Sequence, residues 1–174
     1  MSASARQERA WVRRAQAGSV SDLEALYRAH WPRAYRAAYL VVHDQAGAED
    51  IAQEAWLAAV RALDRFDRRR PFGPWLHRIV VNRAIDWTRA RALRREVELA
   101  ETHAADPDPP SELPALVRAL AALPAEQRAL IVLRHLLEYT PGEIAELLDL
   151  PRGTVNSRLR RGLDQLAAHL EEEL

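Results

Sequence analysis

Thr140-Pro141-Gly142-Glu143-Ile144-Ala145-Glu146-Leu147-Leu148, Asp149-Leu150-Pro151 and Arg152-Gly153-Thr154-Val155-Asn156-Ser157-Arg158-Leu159-Arg160-Arg161 read, in that order, as a helix, a sharp turn and a second helix. Thr140 and Glu143 have capping-box spacing, and Pro141 takes the first helical position, where a missing N–H costs nothing. Ile144, Leu147 and Leu148 supply a buried stripe, and Pro151 ends the helix. Val155, Leu159, Leu163 and Leu166 then recur at helical spacing as the inner face of the second helix. At about 100° per residue, Thr154, Ser157, Arg160 and Arg161 project roughly the other way. Arginine bonds guanine bidentately, a serine hydroxyl serves base or phosphate, and the helix N-terminus at Gly153 and Thr154 offers N–H groups to a phosphate. A solvated amphipathic hairpin is the competing reading, but the turn and the clustered arginines favour a helix-turn-helix facing duplex DNA.

A chain of 174 residues holds one ordinary domain or two small helical ones. Its formal net charge is zero, so a nucleic-acid surface requires segregated charge rather than overall excess. All 25 Lys+Arg residues are arginine. A GC-rich genome also produces that bias, so it carries little weight alone. Cysteine is absent, which excludes disulfides, thiolate zinc sites and cysteine nucleophiles and fits a reducing cytosol. No apolar run approaches the roughly 20 residues of a membrane span, and the stretch from Met1 to Gly18 lacks the apolar core of a signal peptide. The expectation is a soluble, cytoplasmic protein without membrane insertion.

Working outward, Trp11, Val12 and Ala15 lie at helical spacing between Glu8 and Gly18. Leu23, Leu26, Tyr27, Trp31, Tyr35, Tyr39 and Leu40 continue the pattern from Val20 to Val42, with Ser21 and Glu24 as a capping pair and Pro32 as a kink or restart. Asp44 to Gly47 reads as a turn, and a long helix from Ala48 follows. Its residues Ile51, Ala55, Ala59, Leu63 and Phe66 face inward, while Asp50, Gln53, Glu54, Leu57 and Arg61 form an outer strip. Acidic residues in a first helical turn are ordinary dipole partners, and a partner-binding strip is the sharper reading. Asp67-Arg68-Arg69-Arg70-Pro71-Phe72-Gly73-Pro74 reads as a loop, and a helix resumes at Trp75. Arginines interleaved with aromatics suit a strand with exposed bases, although Trp75, Ile79 and Trp87 sit at core spacing.

From Glu96 to Pro114 there are six acidic residues, four prolines and no basic residue. An extended linker is expected there, dividing residues 1–95 from residues 115–174. The second part opens with Leu116, Leu120 and Leu123, then Pro124 at a helix start and a stripe of Leu130, Ile131, Leu133, Leu136 and Leu137. The fold class expected is all-α: two small helical domains, an acidic, proline-rich linker, and a helix-turn-helix in the second domain.

This order of parts resembles bacterial sigma factors of the extracytoplasmic-function group. Ala48 to Trp56 resembles the helix that docks on the polymerase clamp, Phe72 to Asp86 the segment that melts and reads the minus-ten element, and Leu123 to Arg128 with Gly153 to Leu159 the domain that reads minus-thirty-five. The resemblance implies core RNA polymerase contact through Asp50, Gln53 and Glu54, with Leu57 on the same strip. It implies minus-ten contacts from Arg68, Arg69, Arg70, Phe72, Arg78, Asn82 and Arg83, an unstacked base being held at the loop from Arg68 to Gly73. Minus-thirty-five contacts are implied for Arg152, Thr154, Asn156, Ser157, Arg158, Arg160 and Arg161. Asn156 stands where the family usually has a basic residue, and His77 where an aromatic is frequent. The acidic linker of the family threads toward the polymerase active site and RNA exit. No further domain is expected after Leu174.

The implied function is a promoter-specificity subunit, not an enzyme, with core RNA polymerase and promoter DNA as partners, an anti-sigma factor as a partner the family often has, and no cofactor. The alternative is a stand-alone helix-turn-helix repressor or activator. An enzyme built on carboxylates such as Glu49 and Asp50 finds no support, because His30, His43, His77, His103, His135 and His169 lack metal-ligand spacing and no glycine-rich phosphate loop is present.

Overall fold

Helices make up every regular element of the computed structural model, which describes residues 5–102 and 114–172. An N-terminal group contains α1 (Ala5–Gln16), α2 (Val20–Val42), α3 (Gln45–Ala62) with a 3-10 turn (Leu63–Arg65), and α4 (Phe72–Thr102). A C-terminal group contains α5 (Ala115–Ala121), α6 (Ala125–Ile131) running into a π turn (Val132–Leu136), α7 (Pro141–Leu148) and α8 (Arg152–Glu172).

Side-chain demands outside the helices set several boundaries. The cap of α2 is Ser19 and not Ser21: its hydroxyl accepts the Asp22 N–H at 3.4 Å and donates to the Asp22 carboxylate at 2.6 Å. Asp22 also receives the Arg14 guanidinium at 2.9 and 2.5 Å, so the link from α1 to α2 places the cap two residues early. Pro32 lies inside α2, which runs through it without restarting. Asp44 caps α3 by accepting the Gly47 N–H at 2.7 Å, which makes the expected turn the first turn of the helix.

Two expectations for α4 need correction. The helix starts at Phe72 rather than Trp75, since Pro74 falls in the first turn, where its lack of an N–H leaves no bond broken. It also runs to Thr102, past the boundary expected at Arg95 and into the segment expected to be an extended linker. No glycine or proline lies between Glu96 and Thr102, and the first linker proline is Pro107. Residues 103–113 of that linker lie outside the described residues.

Small residues let α2 and α3 approach closely: Ala37, Ala38, Ala55 and Ala59 are fully buried. Around them Phe66, Phe72, Trp75 and Trp56 form an aromatic cluster, with ring centroids 4.6 Å apart for Phe66 and Trp75 and 6.1 Å for Trp56 and Phe72. In the C-terminal group Leu130, Leu133, Ile144, Val155 and Leu159 are buried. These side chains and those of the N-terminal group form one continuous apolar core.

Candidate nucleic-acid interface

The α3 strip forms as the periodicity requires. Ile51, Ala55 and Ala59 are buried, Asp50, Gln53 and Glu54 are exposed, and Leu57 keeps 51% of its surface in water. Glu54 reaches Arg83 of α4 at 3.4 Å. The strip thus combines acid, amide and one apolar side chain on a rigid helix.

The arginine loop is held at both ends by α1. The Gln16 amide donates to the carbonyls of Leu63 and Phe66 at 2.8 and 3.0 Å, and the Phe72 N–H donates to Glu8 at 2.9 Å. His30 contacts the other Glu8 oxygen at 2.9 Å. Burial pushes the Glu8 carboxyl up, but the bonds from His30 and the Phe72 N–H outweigh it and hold the pKa below the ordinary value. Between these anchors Arg68, Arg69 and Arg70 are exposed. Arg69 is tied to Asp67 at 3.0 Å, a hydrogen bond that lowers the Asp67 pKa.

Arg78 and Asn82, one turn apart on α4, are exposed, and Arg83 is half-buried. Phe72 corrects the sequence reading. It is 1% exposed and packed against Phe66, Trp75 and Trp56, so its ring supports the loop from below instead of facing a base.

In the helix-turn-helix the capping box forms: the Glu143 N–H donates to the Thr140 hydroxyl at 3.3 Å, and the Thr140 N–H donates to the Glu143 carboxylate at 2.8 Å. Asp149 takes a left-handed conformation at φ 55° to make the turn. Arg152, Asn156, Ser157, Arg160 and Arg161 are exposed along α8, with Thr154 and Arg158 half-buried. The Ser157 hydroxyl donates to the Thr154 carbonyl at 3.0 Å, and Arg161 Nε donates to the Ser157 carbonyl at 3.3 Å, so both lie along their own helix. The inner face needs one correction: Leu163 is 39% exposed, and Gly162 takes the buried position, where an added Cβ would stand 3.2 Å from Ile131.

Sequence reasoning missed the residues that join the two groups. Arg128, 6% exposed, donates to the carbonyl of Val41 and contacts His43 Nδ1 at 2.8 Å on the α2 side. On its own side it donates to Leu123 at 2.9 Å and Ala121 at 3.3 Å. Among the described residues no carboxylate takes part: carbonyls at the C-terminal ends of α2 and α5 hold the cation, and burial lowers its pKa to about 10. His43 is lowered to about 4 by burial and then by the Arg128 charge.

A second link joins buried His77 to the Tyr139 hydroxyl, 2.7 Å from Nδ1. Burial, followed by the charges of His30 and Arg33, lowers His77 to about 3. A third joins Arg89 to Glu126 at 2.6 Å. Beside it lies a cleft of about 280 Å³ lined from α4 by Asn82, Asp86 and Arg89 and from the C-terminal group by Glu126, Leu148 and Arg158. Asn82 and Arg158, one from each of the two sets expected to contact DNA, therefore border the same cleft. The arginine at position 128 is itself a signal in the sequence, because it repeats at core spacing with Pro124 and Ile131.

Two helical groups, one carrying an exposed acidic strip and an arginine loop and the other a helix-turn-helix, give the architecture of a transcription protein. Sigma-70 region 2 matches residues 26–94, and Sigma-70, region 4 matches residues 113–166. The chain is 30% identical over 178 residues to the ECF RNA polymerase sigma factor SigW of Bacillus subtilis, covering 92% of this chain and 94% of that one. It is 37% identical over 157 residues to ECF RNA polymerase sigma factor SigE of Mycolicibacterium smegmatis, covering 84% of this chain and 61% of that one. Among solved structures it is similar to CnrH in complex with the cytosolic domain of CnrY, with a TM-score of 0.74, 29% identity, and coverage of 97% and 99% of the two chains. The chain belongs to the sigma-70 family, in its extracytoplasmic-function group.

Proposed function

We propose that this sigma factor binds core RNA polymerase through Asp50, Gln53, Glu54 and Leu57 of α3, reads the minus-ten element with the Arg68–Arg70 loop and Asn82, and reads minus-thirty-five with the outward face of α8. It has no catalysis of its own and acts in the cytoplasm. The observation that carries the reading is the order of two family regions along one chain, each presenting its polar face on a buried scaffold. No helix among the described residues is long and apolar enough to cross a membrane, and no group of metal ligands occurs among them. A regulatory partner of the anti-sigma type fits the likeness to CnrH, which was solved with the cytosolic domain of CnrY.

The packed arrangement and the promoter-bound one must differ. Elements centred about 25 base pairs apart lie on the order of 85 Å apart at about 3.4 Å per step. Asn82 and Arg158 border a single cleft. Reading both elements at once therefore requires the C-terminal group to leave α2 and α4, breaking the Arg128, Tyr139 and Glu126 links.

Run-off transcription with core polymerase on a genomic promoter library tests the reading. The chain should direct initiation at a defined two-part motif, Asp50→Arg should abolish co-purification with core, and Arg161→Ala should relax one minus-thirty-five position at a loss of roughly 1 to 3 kcal/mol. Sequence-specific duplex binding without core, together with no initiation, would instead identify a stand-alone repressor or activator.

A further inference from the structure

Helix α1 has a face that neither the fold nor the proposed contacts use. Glu8, Val12 and Gln16 turn inward, to His30, the core and the 3-10 turn. Arg6, Arg9 and Arg13, at i, i+3 and i+7, share another face of the helix. With Ala10 between them and Arg68 from the loop, they line a cleft of about 340 Å³. All four arginines are exposed, and none has an ion pair or hydrogen bond among the described residues.

Several other arginines are paired, by contrast: Arg14 with Asp22, Arg28 with Glu24, Arg69 with Asp67, Arg83 with Glu54 and Arg91 with Asp44. Four like charges around one concavity repel each other unless an anion enters. In a chain of zero net charge, this is the segregation a polyanion surface requires. Ala10 leaves the floor open between the guanidinium groups. The cleft is also fixed to the loop, because Gln16 and Glu8 bind the chain on either side of Arg68. Arg69 is neutralised by Asp67, so Arg68 is the loop charge that turns toward α1.

We infer that the cleft between α1 and Arg68 is a phosphate-backbone site that takes the single DNA strand onward from the minus-ten loop, adding length and affinity to the contact without reading bases. The inference rests on the assignment of that loop to minus-ten DNA. The Arg6 to Arg13 face extends about 10 Å along the helix axis, enough for roughly three stacked nucleotides at about 3.4 Å each. Guanidinium groups with no aromatic side chain among them suit phosphate and offer nothing for stacking.

The test uses the full chain assembled with core polymerase and a fluorescent non-template strand carrying the selected minus-ten element, with no tail or six thymidines on either side. The parent should gain affinity from a tail on one side only. Replacing Arg6, Arg9 and Arg13 together by glutamine should remove that gain and flatten the slope of log affinity against log salt by about 2, at about 0.7 per phosphate contact. Preference for the element and the melting temperature should stay at parental values. A tail of uncharged methylphosphonate linkages should behave as no tail, whereas a gain that survived in it would mean base contacts and overturn the inference. A triple variant that kept both the tail gain and the slope would overturn it too. Asn82→Ala separates the two levels: if it left element preference intact, the minus-ten reading would fail, whatever the tail did.

Discussion

Arg128 is an arginine among apolar neighbours whose place in the fold depends on geometry that the sequence does not display. One guanidinium spans the carbonyls of Val41, Ala121 and Leu123, which belong to different helical groups. Arg128→Ala removes the donor and leaves buried acceptors unpaired, so it should destabilise the chain by about 2 to 4 kcal/mol in urea unfolding. Arg128→Lys should recover less than half of that, because one ammonium lacks the fork needed to reach both sides. Full recovery by lysine would show that charge alone matters there. By contrast, the roles of Thr140, Glu143 and Pro141 were legible in advance, since a capping box depends only on a three-residue spacing. Ser21 has the capping-box partner Glu24 in sequence, and only the tertiary contact between Asp22 and Arg14 selects Ser19.

At the scale of elements, the packing of α3 on α4 turns on one glycine. A Cβ on Gly47 would stand 2.7 Å from the Trp87 ring, and Arg91 lies 5.0 Å from the centroid of that ring while reaching Asp44, the α3 cap, at 3.0 Å. Gly47→Ala forces the indole or the first turn of α3 to move, and overpacking of this kind costs about 1 to 3 kcal/mol. It should also shift the Trp87 emission and weaken core polymerase binding through the misplaced start of the α3 strip. Parental binding would separate the strip from its cap. Both faces of α3 could be read from period alone, whereas the start of α4 could not: two prolines and a glycine ordinarily mark a loop, and only the buried Phe72 and its N–H bond to Glu8 draw Phe72 and Gly73 into the helix. The far end of α4 is not legible in the same way, because net negative charge does not stop a helix and the first proline after Arg95 is Pro107.

For the whole molecule, the junction between the groups should respond to acid. His43 and His77 have pKa values of about 4 and about 3 in the packed arrangement, against about 6.5 when free in water. A depressed histidine pKa means that packing is fully favoured above about 6.5 and is weakened progressively as pH falls through that value toward the packed one. At pH 5 the weakening for buried His77 is at most on the order of 2 kcal/mol, since His30 of its own group also packs on it, and it is smaller for half-buried His43. Small-angle scattering from pH 7.5 to 5 should record expansion without loss of helicity. His43→Asn with His77→Phe should remove the pH dependence, and an unchanged profile in that variant would place the titrating groups elsewhere. The two-group architecture, the helix-turn-helix and the polar strips were all apparent in the sequence, because each is local. The docking of one group on the other is not local, and its trace in the sequence is Arg128 at core spacing between Pro124 and Ile131.

The shared core also has an optical consequence. All five tryptophans, at positions 11, 31, 56, 75 and 87, belong to the N-terminal group, and Trp11, Trp56, Trp75 and Trp87 pack against the common apolar cluster. Intrinsic emission therefore reports on one half of the molecule while circular dichroism reports on both, so a single preparation carries two independent clocks for unfolding. Coincident transitions would mean that the continuous core makes the two groups one cooperative body, and a dichroism change that precedes the fluorescence change would time the departure of the helix-turn-helix without any added label.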